Sequence, residues 1–110
     1  LILIADSQPV AVILTGDRKL SYKKFAKAVG AKNVRMARLE EVKNIVGFEV
    51  GGVSPLSECI KRLKVVVDRE AASKSFVWCG GGDIYSLAYV DMAELINLLK
   101  PLIANVSEPL

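Results

Sequence analysis

Histidine is absent from this sequence of 110 residues. Its absence excludes His-based catalytic triads, imidazole general bases and histidine metal ligands. Cysteine is rare, because Cys59 and Cys79 are the only two and they form no C-x-x-C pair. Two isolated thiols need carboxylates to complete a zinc site, and a cysteine nucleophile would lack a histidine partner. We therefore expect no metal and no cofactor, and we interpret both cysteines as buried packing residues.

Long hydrophobic runs are also missing, since no stretch approaches the roughly 20 apolar residues of a membrane span. The apolar start, residues 1–5, follows no basic region and is too short for a signal peptide. Hydrophobic residues make up 52% of the chain and charged residues 25%, which is typical of a globular domain. We expect one cytoplasmic domain over residues 1–110. Because the chain begins without Met, inside a strand pattern, we also expect that this domain lacks its N-terminal segment.

Strand and helix patterns follow one another along the chain. The first two apolar runs, separated by the polar segment 6–9, predict a hairpin that is covered on both faces. Between residues 56 and 63 the apolar spacing is helical, but a loop is the alternative. Ser21 and Asp91 are expected to be helix N-caps. Strands are predicted at residues 1–5, 10–15, 34–37, 64–68, 75–79, 85–90 and 103–106, and helices at 22–29, 39–46 and 92–100.

Three glycines and a proline lie within residues 47–55, which we call the glycine loop. Glycine allows positive φ and close approach of the backbone, and proline removes an N–H group. Such a loop would bind a ligand through main-chain groups, and the alternative is a tight connection between two elements. A second glycine run, 80–83, lacks the Lys and Ser/Thr of a P-loop. It predicts a hairpin turn that can still line a pocket through its backbone.

Positive charge is concentrated in residues 17–38, which we call the basic segment. It holds eight basic residues and one acid, a formal charge of +7, whereas the whole chain carries +3. This concentration is typical of a phosphate-binding surface, and the alternative is a solvated helix face. The segment contains no aromatic platform for base stacking, which favours phosphate contacts in a structured RNA over base reading. The basic residues are Arg18, Lys19, Lys23, Lys24, Lys27, Lys32, Arg35 and Arg38.

In their order and spacing, these motifs resemble the YbaK/EbsC family of aminoacyl-tRNA deacylases, which is related to the editing domain of prolyl-tRNA synthetase. The resemblance implies an α/β domain with a mixed, partly barrel-like central sheet and helices packed outside. It also implies hydrolysis of the ester between a mischarged amino acid and the 3′ ribose of tRNA, with tRNA and an aminoacyl-tRNA synthetase as partners. The matching residues are 15–20, 23–24, 30–32, 37, 40–42, 46–48, 51–55, 67–68, 80–82, 91 and 95.

The resemblance also assigns site residues by position. The catalytic loop would contain Gly51, Gly52 and Ser54. The substrate pocket would add Gly47, Val53, Pro55, Gly80, Gly81 and Asp91. The concentrated charge of the basic segment, rather than the resemblance, gives the expected tRNA-binding surface, which would contain Arg18, Lys19, Lys23, Lys24 and Lys27.

Two of these assignments need a qualification from the residues themselves. Helix capping is sufficient to explain Asp91 without any role in catalysis. The family's functional lysine lies upstream of the strand that here begins at Leu1, and it is absent from this chain. Lys19 and Lys23 match a later basic stretch of the family, so they do not replace it.

The chemistry implied by the resemblance agrees with the residues present. An aminoacyl ester is already activated, so its hydrolysis needs a positioned water and a stabilised oxyanion more than a strong nucleophile. Main-chain N–H groups of the glycine loop would supply both. One alternative is a non-catalytic module of the same fold that binds tRNA or a synthetase. A second is a small-molecule enzyme that binds phosphate through its glycine loops, although no phosphate motif is intact.

Overall fold

The structure, a computed structural model, describes residues 1–46, 63–80 and 87–110. Within these ranges the strands are β1 Ile2–Ala5, β2 Gln8–Ile13, β3 Arg18–Leu20, β4 Val34–Met36, β5 Lys64–Asp68, β6 Phe76–Gly80, β7 Leu87–Asp91, β8 Leu102–Ala104 and β9 Ser107–Pro109. The helices are α1 Tyr22–Val29, α2 Leu39–Val46, α3 Arg69–Ala72 and α4 Met92–Leu99. The glycine loop, the segment 56–62 with Cys59, and residues 81–86 lie outside the described residues.

A mixed five-stranded sheet forms the centre of the fold, in the order β4-β1-β2-β5-β8. Strand β1 is antiparallel to both β2 and β4, whereas β2, β5 and β8 run parallel to one another. The smaller sheets are the antiparallel pairs β3-β9 and β6-β7. The mixed sheet confirms the expected fold class, and the β1-β2 and β6-β7 pairings confirm both predicted hairpins.

Both faces of the central sheet are covered, which explains why its strands are almost continuously apolar. On one face, alternate strand residues such as Ile4 and Val67 pack beneath α2, α3, α4 and the β6-β7 hairpin. On the other face, Leu3 and Val66 pack against Phe25 of α1, and all three are fully buried. Because side chains alternate along a strand with period two, neighbouring residues enter the two separate cores.

The helix boundaries follow the capping residues read from the sequence. The Ser21 side chain accepts a hydrogen bond from the Lys24 N–H at 3.3 Å, and Gly30 ends α1 in the left-handed region with φ of 70°. Asp91 caps α4 by accepting from the Glu94 N–H at 3.2 Å. Lys100 ends α4 with φ of 47°, a conformation that glycine usually supplies.

Several elements differ from the sequence prediction. The first hairpin turns on Asp6 and Ser7 alone, both with positive φ, so the predicted four-residue turn is too long. The last predicted strand, 103–106, is instead β8 at Leu102–Ala104. Strands β3 and β9 and the single-turn helix α3 were not predicted. Strands β3 and β9 have three residues each, and they pair although they are about 90 residues apart in sequence. Strands this short show no hydrophobic period from which they could be predicted.

Candidate functional site

A buried hydrogen-bond network holds strand β9 against the centre of the fold. The Asp68 side chain, which is fully buried, accepts from the Val106 N–H at 2.9 Å and from the Ser107 hydroxyl at 2.7 Å. It also accepts from the Glu70 N–H at 3.2 Å and so caps α3. One carboxyl group therefore connects the end of strand β5 in the central sheet, helix α3 and strand β9.

The first part of the basic segment is attached to the same strand. Arg18 Nε donates to the Ser107 hydroxyl at 2.6 Å, and Lys24 Nζ donates to the Ser107 carbonyl at 3.0 Å. Lys19 forms an exposed ion pair with Glu108 at 3.6 Å. Three of the five residues predicted to bind tRNA therefore have a protein partner on β9. The pairing of β3 with β9 sets the positions of Arg18 and Lys19, whereas Lys24 reaches the same strand from α1.

The last two arginines of the basic segment contact an acid of α2 instead of β9. Arg35 donates to both Glu41 oxygens at 2.7 and 2.9 Å, and Arg38 adds contacts from its backbone N–H and its Nε. The Arg35 side chain, followed by the Arg38 N–H, lowers the pKa of Glu41 from 4.5 to about 2. These two arginines are thus paired within the protein.

Exposed positive charge is concentrated in the middle of the basic segment. Lys23 and Lys27 lie on the solvent side of α1, and Lys32 follows the helix. Within the part of the chain that the structure describes, none of these three side chains forms an ion pair. Of the residues predicted to bind tRNA, Lys23 and Lys27 are therefore the ones whose charge faces solvent without a partner among the described residues.

Two grooves flank the side chain of Phe76, and Lys74 lines both of them. One, of about 400 Å³, has Asp91 in its wall, together with residues of α4. The other, of about 290 Å³, lies between the hairpin and the end of β2, where Gly16 and Trp78 contribute to its wall. Asp91 is half-buried and opposes Phe76 in the β6-β7 register. Asp91, a predicted pocket residue, thus lies beside a groove, while its carboxyl group also caps α4.

A row of aromatic rings covers the outer face of the β6-β7 hairpin. The ring centroids of Phe76 and Tyr89 are 5.1 Å apart, and those of Trp78 and Tyr89 are 4.8 Å apart. All three side chains are exposed, by 49%, 60% and 66% for Phe76, Tyr89 and Trp78. We call these three residues the aromatic column. It borders both grooves through Phe76.

The aromatic column is the feature that the sequence analysis missed. Aromatic stacking was considered only within the basic segment, whereas these rings lie on two strands outside it. A signal was present, because Phe76 and Trp78 are two residues apart and therefore share one face of a strand. Tyr89 joins them only through the hairpin register, in which it opposes Trp78.

Comparison with known proteins adds a match over most of the chain. The family model for the aminoacyl-tRNA editing domain matches residues 1–98. This chain belongs to the aminoacyl-tRNA editing domain family. The match includes the glycine loop and Asp91, and it bears out the resemblance drawn from the sequence motifs.

Individual relatives agree with the family. The editing domain is 32% identical to proline–tRNA ligases of Halalkalibacterium halodurans, over 76% of this chain, and of Anaeromyxobacter dehalogenans, over 84%. It spans only 14% and 16% of the length of these two ligases. It also resembles the crystal structure of a proposed trans-editing enzyme for prolyl-tRNA synthetase, with 27% identity and a TM-score of 0.88. That match covers 98% of this chain and 68% of the other.

The predicted pocket residues fall into two groups in this editing domain. Gly80 is the last residue of β6, and Asp91 is the last residue of β7. The remaining predicted pocket residues lie outside the described part of the chain: Gly47, Gly51, Gly52, Val53, Ser54, Pro55 and Gly81. Their role in the pocket is therefore still a prediction.

A third groove, of about 650 Å³, lies at the opposite end of the domain beside the first hairpin turn. Its charged residues already have protein partners. Asp6 accepts from the N–H groups of Asn33 and Lys32, which lower the pKa of its carboxyl group. Glu41 and Arg35 pair with each other. Each described charged side chain in the wall of this groove is therefore already hydrogen-bonded or ion-paired within the protein.

Metal and membrane features can be assessed only for the described ranges 1–46, 63–80 and 87–110. In these ranges no cluster of three or more His, Cys, Asp or Glu side chains is placed to bind a metal ion. No helix there is both long and apolar enough to cross a bilayer.

Proposed function

We propose that this editing domain hydrolyses the ester between a mischarged amino acid and the 3′ ribose of tRNA, acting in trans in the cytoplasm. The match of the editing-domain family model to residues 1–98 carries the proposal. It is supported by the fold shared with a proposed trans-editing enzyme. The proline–tRNA ligase relatives point to tRNA as the substrate carrier and to a synthetase as a second partner.

In this proposal the glycine loop provides the catalytic groups. Main-chain N–H groups of Gly51, Gly52 and Ser54 would position water and stabilise the developing oxyanion, because the ester itself is already activated. No histidine or paired cysteine is needed for this chemistry. We assign the groove that contains Asp91 to the aminoacyl group.

The tRNA would approach across the face of α1. Lys23 and Lys27 are exposed there, whereas Arg18 and Lys24 are bonded to Ser107 and shape the surface beside them. Phosphates of the acceptor stem would bind the exposed lysines, which accounts for the concentration of positive charge in the basic segment.

The decisive experiment is deacylation of a panel of tRNAs charged with alanine, cysteine, proline or serine, using the full-length protein. We expect turnover of one or two of them, and we expect Gly52→Ala to reduce that turnover by narrowing the loop. Binding of tRNA without turnover of any charged species would instead identify a non-catalytic module of the same fold.

Asp91→Asn separates the two possible roles of Asp91. Asparagine is an equally good N-cap, so the variant keeps the cap of α4 and removes only the negative charge. An unchanged melting temperature with lost turnover would assign Asp91 to the reaction. Unchanged turnover would leave it as a cap.

A further inference from the structure

The aromatic column is exposed although the described residues on the opposite face of its hairpin are packed. On the inner face of the hairpin, Val90 is buried and Val77 packs against the core beneath α2 and α4. On the outer face, Phe76, Tyr89 and Trp78 leave about half or more of their surface in solvent. Three adjacent large rings on one exposed face are uncommon in a protein surface that binds nothing.

The geometry of the column suits the addition of further flat rings. Tyr89 lies between the other two, so Phe76 and Trp78 are the end members, and each contacts Tyr89 on one side only. Trp78 is the most exposed of the three, at 66%. An unpaired nucleotide base can continue such a column, because every base has a flat π-face and aromatic side chains stack on it with little sequence preference.

One basic side chain beside the column is available to a nucleic acid strand. Lys74 lines both grooves that flank Phe76, where it can meet backbone phosphates. The smaller groove leads past Gly16 toward β3, which begins with Arg18 two residues later. The larger groove contains Asp91. The column therefore lies between the start of the basic segment and the groove assigned to the aminoacyl group.

We propose that the aromatic column binds unpaired bases at the 3′ end of tRNA, with one base stacked on Trp78. The inference rests on the proposed function for the identity of the RNA, and it adds a subsite that the basic segment cannot supply. Stacking on the column would hold the 3′ end beside the groove that contains Asp91.

The chain offers a direct probe, because Trp78 is its only tryptophan. Tryptophan emission of the full-length protein would be followed during titration with uncharged tRNA, and with the same tRNA after removal of its unpaired 3′ nucleotides. We expect saturable quenching by intact tRNA and little quenching by the truncated form. If the full-length protein holds further tryptophans, each is replaced by phenylalanine first.

Variants test the same contact by tRNA binding in a filter assay. Trp78→Ala is expected to weaken binding of intact tRNA at least about fivefold, the lower end of what one stacked base contributes. Trp78→Phe keeps a ring and should restore most of the affinity. Leu98→Ala is the matched control, since Leu98 is 49% exposed on α4 and lies outside the column. We expect its affinity to be unchanged.

The outcomes separate this inference from the proposed function. If quenching requires the 3′ end but the protein hydrolyses no charged tRNA, the result would support base binding by the column and refute the proposed deacylase activity. Turnover without quenching, or turnover with equal quenching by truncated tRNA, would overturn base binding by the column and would still support the proposed deacylase activity. A blue shift of the emission with rising protein concentration and no RNA would assign the column to self-association instead.

Discussion

Replacement of Asp68 by alanine tests how the short β3-β9 sheet is held in place. The substitution removes an acceptor that is fully buried and that receives three hydrogen bonds, from Val106 N, Ser107 Oγ and Glu70 N. Two of these donors come from the C-terminal strand region, some 38 residues away in sequence. No other side chain in the described part of the chain connects β5, α3 and β9 in this way.

The expected loss follows from the state of the three donors. A buried donor left without a partner costs about 1–3 kcal/mol, and loss of a helix N-cap costs about 1 kcal/mol. Two buried donors left without a partner and one lost cap therefore predict a loss of roughly 3–7 kcal/mol in the free energy of unfolding. That is a large part of the roughly 5–15 kcal/mol that stabilises an ordinary domain.

Asp91→Ala provides a matched control within the same chain. Asp91 also caps a helix through one bond at 3.2 Å, but its side chain is half-buried and accepts from no second donor among the described residues. We expect it to cost about 1 kcal/mol. Ser107→Ala, which removes one hydroxyl from the network, should fall between the two.

The assay is urea unfolding followed by circular dichroism, with all three variants compared at one pH. With a urea m-value of about 2 kcal/mol/M, a loss of roughly 3–7 kcal/mol lowers the urea midpoint by roughly 1.5–3.5 M. If Asp68→Ala costs no more than Asp91→Ala, the buried network does not hold β9, and the attachment of Arg18 and Lys24 would need another explanation.

Two further predictions concern the surface charges. The pKa of Glu41 lies at about 2 in the folded state because of Arg35 and Arg38, so its stabilising contribution is present above pH 4.5 and is lost as the pH falls toward 2. Glu41→Gln should remove this part of the acid sensitivity of the urea midpoint, and a Glu41 titration near 4.5 by NMR would contradict the reasoning. Reversal of both Lys23 and Lys27 to Glu should weaken tRNA binding about tenfold. The slope of log affinity against log salt concentration should fall by the amount expected for about two lost phosphate contacts. Reversal of Lys43, an exposed lysine on α2, should leave tRNA binding unchanged, and an equal loss of affinity per reversed charge in both variants would show that net charge alone is responsible.

Local signals predicted most of the fold. The apolar spacing of α1 and its caps Ser21 and Gly30 lie within one stretch of chain, and the structure places α1 at the predicted residues. Strand β5 also has the predicted bounds, because a run of β-branched valines between polar residues admits few other structures. These elements are determined by interactions between residues that are near one another in sequence.

The elements that were not predicted depend on distant partners. Strand β3 pairs with β9 in the register Arg18↔Pro109, and neither is long enough to show a period. In the sequence, Asp68 is an acid at the end of a predicted strand, with no sign of a structural role. Its role follows from its hydrogen bonds to Val106 and Ser107, which only the tertiary structure shows. The same dependence hid the aromatic column, which needs the hairpin register to bring Tyr89 between Phe76 and Trp78.

The sequence by itself thus determined the family, the mixed α/β class, most helix and strand positions and the location of the positive charge. These properties follow from the order of motifs, the hydrophobic periodicity and the capping residues, which are all local features of the sequence. Only the tertiary structure decided which basic residues are bonded to the protein and which face solvent, and which aromatic rings stack. Those properties depend on contacts between residues far apart in sequence, whose pairing no local pattern specifies.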